Sequence, residues 1–146
     1  MILKQEEIKY IFNPAVLLPG DILLMDTYEE RLRTMMGCQY EHAAIYLGDA
    51  FLMEANGSHV LMSHIYSYAF KEENHACVLR LKHFLPNTLT DIARRARMQY
   101  GREYVNTTQF RYVRAFKNTD KKDDSNRSFC SRLVAQAYEN IHLLPN

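Results

Sequence analysis

Two apolar runs far apart in this chain each open on a chemically versatile side chain, and their periodicities differ. His42-Ala43-Ala44-Ile45-Tyr46-Leu47-Gly48 has the length and composition of a strand. Its alternation sets His42, Ala44 and Tyr46 on one side and Ala43, Ile45 and Leu47 on the other. In the second run, Cys130, Leu133, Val134, Ala137 and Ile141 recur at helical spacing and share one face. A strand that begins with histidine and a helix that begins with cysteine limit the fold to arrangements that place both elements around one core.

The punctuation between these runs divides the rest of the chain. Pro19-Gly20-Asp21 is a turn signal that feeds the short apolar run Ile22-Leu23-Leu24-Met25. Residues 27–36 read as a short helix, with Thr27 as cap and Gly37 as stop. Gly48-Asp49 reads as a tight turn, and Phe51-Leu52-Met53-Glu54-Ala55 as the returning strand of a hairpin. Asn56-Gly57 is another turn before Val60-Leu61-Met62. Residues 65–70 are aromatic-rich and fit either helix or strand, whereas Ala76-Cys77-Val78-Leu79-Arg80-Leu81 reads as a strand. Residues 86–100 read as a helix capped by Thr88 or Thr90, with Leu89, Ile92, Ala93, Ala96 and Tyr100 as its apolar stripe and Gly101 as its end. Residues 117–127 hold almost nothing to bury and are expected to form a mobile loop, either a flap beside Cys130 or a plain connector. The last helix is expected from about Phe129 to Ile141.

Composition narrows the functional classes. A length of 146 residues suits one domain over 1–146, with its core at about 19–142, and 47% hydrophobic residues suffice for one core. Lys and Arg number 18 against 17 acids, which gives no electrostatic case for nucleic acid as partner. Arg94-Arg95-Ala96-Arg97 reads as a solvated helix face. No run of about 20 apolar residues suggests a membrane span. The first residues carry Glu6 and Glu7 where a secretory signal would be apolar, so a cytoplasmic location is expected, with signal-less export open. Cys38, Cys77 and Cys130 are odd in number and widely spaced, which argues against a disulfide framework. Neither CxxC nor HExxH occurs, so no metal site or cofactor is expected.

A cysteine at a helix start sits in the positive field of the helix dipole, which favours thiolate. Ser128 can cap the free N–H groups there, and the same groups can donate to an oxyanion; Ser131 lies in that first turn. His42 at a strand end can supply the base. A hairpin about Gly48-Asp49-Ala50 sets residues near 53–55 opposite residues near 43–45, so Glu54 can take the second ring nitrogen of His42 and fix its orientation. Each residue also has a plainer reading: Cys130 as a small buried hydrophobe, His42 as a structural histidine, Glu54 as a surface acid.

The order Pro19-Gly20-Asp21-Ile22-Leu23-Leu24, His42-Ala43-Ala44-Ile45-Tyr46-Leu47-Gly48, Glu54 and Cys130-Ser131-Arg132-Leu133-Val134 with Ala137-Tyr138 resembles the circularly permuted NlpC/P60 cysteine hydrolases, particularly the YiiX/YebB-like branch. The resemblance spans about residues 19–140. It implies an α+β, papain-like fold in which an antiparallel sheet packs against helices and the cysteine helix lies near the C-terminus. It also implies Cys130 as nucleophile, His42 as general base and Glu54 as the orienting residue. Gly101-Arg102-Glu103-Tyr104 looks like the family's glycine-x-x-tyrosine segment, so Tyr104, with Ser131, is expected to line the site or serve the oxyanion hole. Val105 and Ala135 depart from the acid and aromatic that often stand there. The related lecithin:retinol acyltransferase-like branch usually carries a second histidine where this chain has Glu54, and Phe129-Cys130-Ser131-Arg132 fits the hydrolase branch better.

The leading expectation is therefore a thiol-dependent amide hydrolase acting on a peptide or peptidoglycan stem. Lipid acyl hydrolysis or acyl transfer through the same thioester ranks second, and a non-catalytic binding module third. The expected partner is a small peptide or acyl substrate.

Overall fold

Four apolar runs that follow one another in the chain become the centre of one twisted sheet. The computed structural model describes residues 10–26, 40, 42–56, 59–104, 127–128, 130–139 and 141, of which 104, 127, 128 and 131 by their backbone alone. Strands β1 (Ile22–Met25), β2 (His42–Gly48), β3 (Phe51–Asn56), β4 (His59–His64), β5 (Ala76–Leu79), β6 (Glu103–Tyr104) and β7 (Arg127–Ser128) lie in the order β5-β1-β2-β3-β4-β6-β7. Every pairing is antiparallel except β6 with β7. Helix α1 (Thr88–Arg97) precedes β6, and helix α2 (Cys130–Ala137) follows β7. The architecture is α+β.

The β2–β3 hairpin turns through Asp49 and Ala50, both at positive φ (52° and 65°). That is the handedness that matches the twist of the flanking strands. The turn fixes the register Ala44↔Glu54, Ile45↔Met53 and Tyr46↔Leu52. Alternation then sorts the side chains. Ile45, Leu47, Met53, Ala55 and Val60 form one core with Leu89, Ile92, Ala93 and Ala96 of α1 and Leu133 and Ala137 of α2. Ala44, Tyr46, Leu52, Leu23 and Met25 form a second core on the opposite face, covered by Phe12, Leu17, Ile65 and Phe70. A sheet covered on both faces holds its strands rigidly, so residues at a strand end are well placed to carry a site.

Several sequence expectations need correction. Helix α1 is shorter than residues 86–100 and ends at Arg97, so Tyr100 leaves the apolar stripe and is exposed. Neither Thr88 nor Thr90 caps it: Asn87 occupies the N-cap at φ 72°, with no side-chain cap bond. The aromatic segment 65–70 is a single element of neither kind: it opens as a 3-10 helix over Ile65–Ser67, and Phe70 bridges to Tyr10. Strand β5 stops at Leu79, because Arg80 turns away to bind Asp21. Helix α2 is shorter than residues 129–141, although Ile141 still packs on the core it was expected to join. The arginine cluster is not simply a solvated face. Arg97 donates to the Leu47 carbonyl at 2.8 Å and Arg95 to that of Glu139, while Arg94 stays outside, 3.5 Å from Asp91. The expected helix at 27–36, Cys38, and residues 117–126 of the expected flap lie outside the described residues; Arg127 belongs to β7.

The Pro-Gly-Asp turn is a structural node. Gly20 has φ 95°, and a Cβ there would sit 2.7 Å from the Leu89 carbonyl oxygen. Only glycine fits both the backbone angle and the approach of α1. Asp21 is fully buried, and its carboxylate accepts from Arg80 Nε at 2.8 Å, Arg80 Nη2 at 2.7 Å and the Leu18 amide at 2.8 Å. Tyr138, just past α2, donates to the Gly20 carbonyl at 2.5 Å. Burial and the nearby Asp21 charge push its phenol up to about 12, so it remains a donor. Arg102 holds Gln136 at 2.8 Å, and the Gln99 amide donates to the Leu133 carbonyl at 3.0 Å. These bonds fix the position of α2, and with it the depth at which Cys130 sits.

Candidate active site

The sheet register gathers chemistry at one end. His42 is the first residue of β2 and lies opposite Met25, the last of β1. Glu54 lies opposite Ala44, so its side chain leaves the sheet on the same face as His42, two residues away. At the same end Asn56 faces His59, which in turn faces Glu103 of β6. Strand β7 pairs with β6 and leads into α2, which starts at Cys130. The helix packs on the face opposite Glu54, and its first residue meets His42 around the end of the sheet.

Three side chains make a connected chain of hydrogen bonds. His42 Nε2 lies 2.6 Å from Glu54 Oε2. An ionised carboxylate only accepts, so Nε2–H is the donor. The imidazole also hydrogen-bonds the Cys130 side chain. With Nε2 engaged by Glu54, Nδ1 is the nitrogen left for the sulfur. Cys130 is half-buried, and the His42 side chain is only 12% exposed. Water therefore has limited access to the pair.

Glu54 is 1% exposed, a location that is unfavourable for a carboxylate without partners. It has three. His42 and Tyr68 donate to Oε2, and Ser63 donates to Oε1. Burial pushes the Glu54 carboxyl up, but these hydrogen bonds and the charge on His42 outweigh it and hold the group below its ordinary value. Burial likewise pulls His42 down. The hydrogen bonds to Cys130 and Glu54, with their negative charges, prevail and raise the imidazole to about 9. At neutral pH the site is thus arranged for an imidazolium between a thiolate and a carboxylate.

The structure brings His42, Glu54 and Cys130 together. It places the backbone of Tyr104 beside Ser128, two residues ahead of Cys130, and the backbone of Ser131 in the first turn of α2; both side chains lie outside what is described. Cys77 is elsewhere, on β5 opposite Leu24. Among the described residues, no group of His, Cys, Asp and Glu could hold a metal ion, and no helix is long and apolar enough to cross a membrane.

Sequence reasoning missed Ser63 and Tyr68. Ser63 lies opposite Leu52, one alternation from Glu54 on the same face, a relation that depends on the β3–β4 register. Tyr68 lies in the aromatic segment whose periodicity decides nothing; only the 3-10 turn carries its hydroxyl back to Glu54.

A half-buried cysteine at a helix start, bonded to an imidazole that leans on a buried carboxylate, on an α+β scaffold, is the arrangement of a papain-like cysteine hydrolase. Residues 16–144 match the family of permuted papain-like amidase enzymes, YaeF/YiiX, the C92 peptidases. The chain belongs to this family and is a cysteine hydrolase. Comparison with curated proteins gave no match, and comparison with solved structures gave none.

Proposed function

We propose that this enzyme cleaves an amide bond through an acyl-enzyme, with Cys130 as nucleophile, His42 as acid and base, and Glu54 as the residue that orients His42. The observation that carries this reading is the double engagement of one imidazole, by Glu54 at 2.6 Å and by the Cys130 side chain. The Cys130 sulfur attacks the carbonyl carbon, and the backbone N–H groups at the start of α2, including that of Ser131, donate to the developing oxyanion. The imidazolium passes its proton to the leaving nitrogen as the C–N bond breaks. Water then gives a proton to His42 as its oxygen attacks the thioester, releasing the acid and restoring the pair. The resemblance of Gly101-Arg102-Glu103-Tyr104 to the glycine-x-x-tyrosine segment assigns Tyr104 a part in lining the substrate side. Membership of an amidase family and the resemblance of the motif order to NlpC/P60 hydrolases favour a peptide, including a peptidoglycan stem, over a lipid ester.

The substrate class is tested by mass spectrometry of a panel of peptides, stem peptides and acyl esters incubated with wild type and with Cys130→Ala. Cleavage of amides that vanishes with Cys130 supports the proposal; turnover confined to esters would replace it with the acyl-hydrolase reading.

The pH dependence separates two steps. Leaving-group protonation requires the imidazolium, which exists below the His42 value of about 9 and is lost above it. Turnover is therefore expected to fall as pH rises through about 9. Alkylation of Cys130 by iodoacetamide needs only thiolate and should not fall there. It should also outpace alkylation of Cys77 near neutral pH. Parallel pH profiles of turnover and site-resolved alkylation check this, and a joint decline above pH 9 would contradict it.

A further inference from the structure

Glu54 is held at both oxygens. Ser63 Oγ–H donates to Oε1 from β4, and Tyr68 O–H donates to Oε2 from the segment after the 3-10 turn. With one oxygen fixed from each side, the carboxyl cannot rotate about its terminal bond without breaking a hydrogen bond at a residue only 1% exposed. Oε2 is thereby aimed at His42 Nε2, which lies 2.6 Å away. The Tyr68 hydroxyl is itself 3.4 Å from the same Nε2, too far for a strong bond but close enough to crowd the imidazole into one orientation. Its ring lies beside the imidazole, with centroids 6.0 Å apart and planes inclined by 31°.

We propose that Tyr68 is a positioning residue of the active site, acting through Glu54: its hydroxyl fixes the carboxylate in the ionised, His42-facing state that sustains the cysteine–histidine pair. This rests on the reading of Cys130 and His42 given above. The groups that face Glu54 are His42 from β2, Ser63 from β4 and Tyr68, with Cys130 of α2 beyond the imidazole. Burial and the Glu54 charge push the Tyr68 phenol well above its ordinary value, so it serves as a donor throughout the working range of the enzyme. Ser63 performs the same service at the other oxygen, and its hydroxyl has no competing acidity.

The test uses Tyr68→Phe, which keeps the ring and removes the hydroxyl. The titration of Glu54 is followed by carboxyl carbon NMR, with Glu54→Gln to assign the signal, and Cys130 alkylation by iodoacetamide is followed across pH. Losing one hydrogen bond to a charged group is expected to raise the Glu54 carboxyl by about one pH unit. The acid limb of alkylation should move in the same direction, to the extent that ionised Glu54 holds His42 against Cys130. In a Glu54→Gln background, Tyr68→Phe should leave the limb where it is, because no carboxyl remains to be held. A purely structural Tyr68 would lower the melting temperature and move neither readout. A Glu54 titration unmoved by Tyr68→Phe in folded protein overturns the proposal, as does a limb shift that persists without Glu54. Should wild-type Cys130 alkylate no faster than Cys77, the catalytic reading fails instead, and the carboxyl titration still decides whether Tyr68 holds Glu54.

Discussion

Cys130→Ala is expected to lower turnover by about 10⁴-fold or more, and adding His42→Ala is expected to change the residual rate little. In the proposed mechanism the two residues share one task. The imidazolium persists to about pH 9 because Glu54 and the Cys130 side chain stand beside it, and in the proposed mechanism that imidazolium holds the sulfur as thiolate. Removing either partner removes the reactive form of the other. Independent contributors would show losses that multiply, whereas members of one catalytic unit show losses that saturate. The comparison needs single-turnover rates on an amide identified by the peptide panel. Multiplicative losses in the double variant would mean that His42 and Cys130 do not serve one site. Neither substitution touches the cores around Ile45 and Leu133, so both variants should fold, with His42→Ala the less stable of the two because it leaves the buried Glu54 carboxylate without its charged partner. Glu54→Gln is expected to be milder than either, because Glu54 orients the ring and transfers no proton.

The candidate site was largely legible because the residues proposed for it open or interrupt patterns that periodicity can read. His42 begins a run whose alternation is plain, and Cys130 begins one whose helical stripe is plain; in the structure they begin β2 and α2. Glu54 stood out as the lone acid in an apolar strand, and the short turn after Gly48 limited its partner to residues near 43–45; the register is Ala44↔Glu54. The residues that hold Glu54 were not legible. Ser63 becomes its neighbour only through the register of a second hairpin, and Tyr68 only through a 3-10 turn that no alternation announces. The same limit explains α1. Its stripe from Leu89 to Ala96 was visible, but its end was not, because Gln99 leaves the helix to donate to the Leu133 carbonyl and Tyr100 is turned outward. Nor could sequence show that the arginines of α1 reach back to Leu47 and Glu139, since a basic run carries no record of which carbonyls lie within its reach. Local pattern identified most element types and the two halves of the candidate site; long-range contacts set the boundaries and the supporting bonds.

Away from the site, the largest loss of stability among polar substitutions is expected for Asp21→Ala. Asp21 is fully buried, at the end of β1 opposite from His42, and its carboxylate satisfies both Arg80 and the Leu18 amide. Removing it leaves the part-buried Leu18 N–H without its acceptor and strips Arg80 of its bidentate partner, leaving it the Val16 carbonyl. Breaking a buried pair from one side costs about 3–5 kcal/mol when the orphaned charge stays buried. The Arg80 side chain is 38% exposed and can turn to water, so that range is not reached, and the lost hydrogen bonds set a loss of about 2 kcal/mol. For a chain of this size that corresponds to a fall of roughly 4–8 °C in melting temperature. Urea denaturation gives the loss directly, and an unchanged slope would show that the folded and unfolded states keep their compactness. Asp21→Ala combined with Arg80→Ala should cost less than the sum of the two, because the second change removes a group that the first has already orphaned. A loss below about 1 kcal/mol for Asp21→Ala would mean that the turn finds other partners for its polar groups. Folded Asp21→Ala protein should still alkylate at Cys130 with the wild-type pH profile, since Asp21 and the His42–Glu54 pair lie at opposite ends of the sheet.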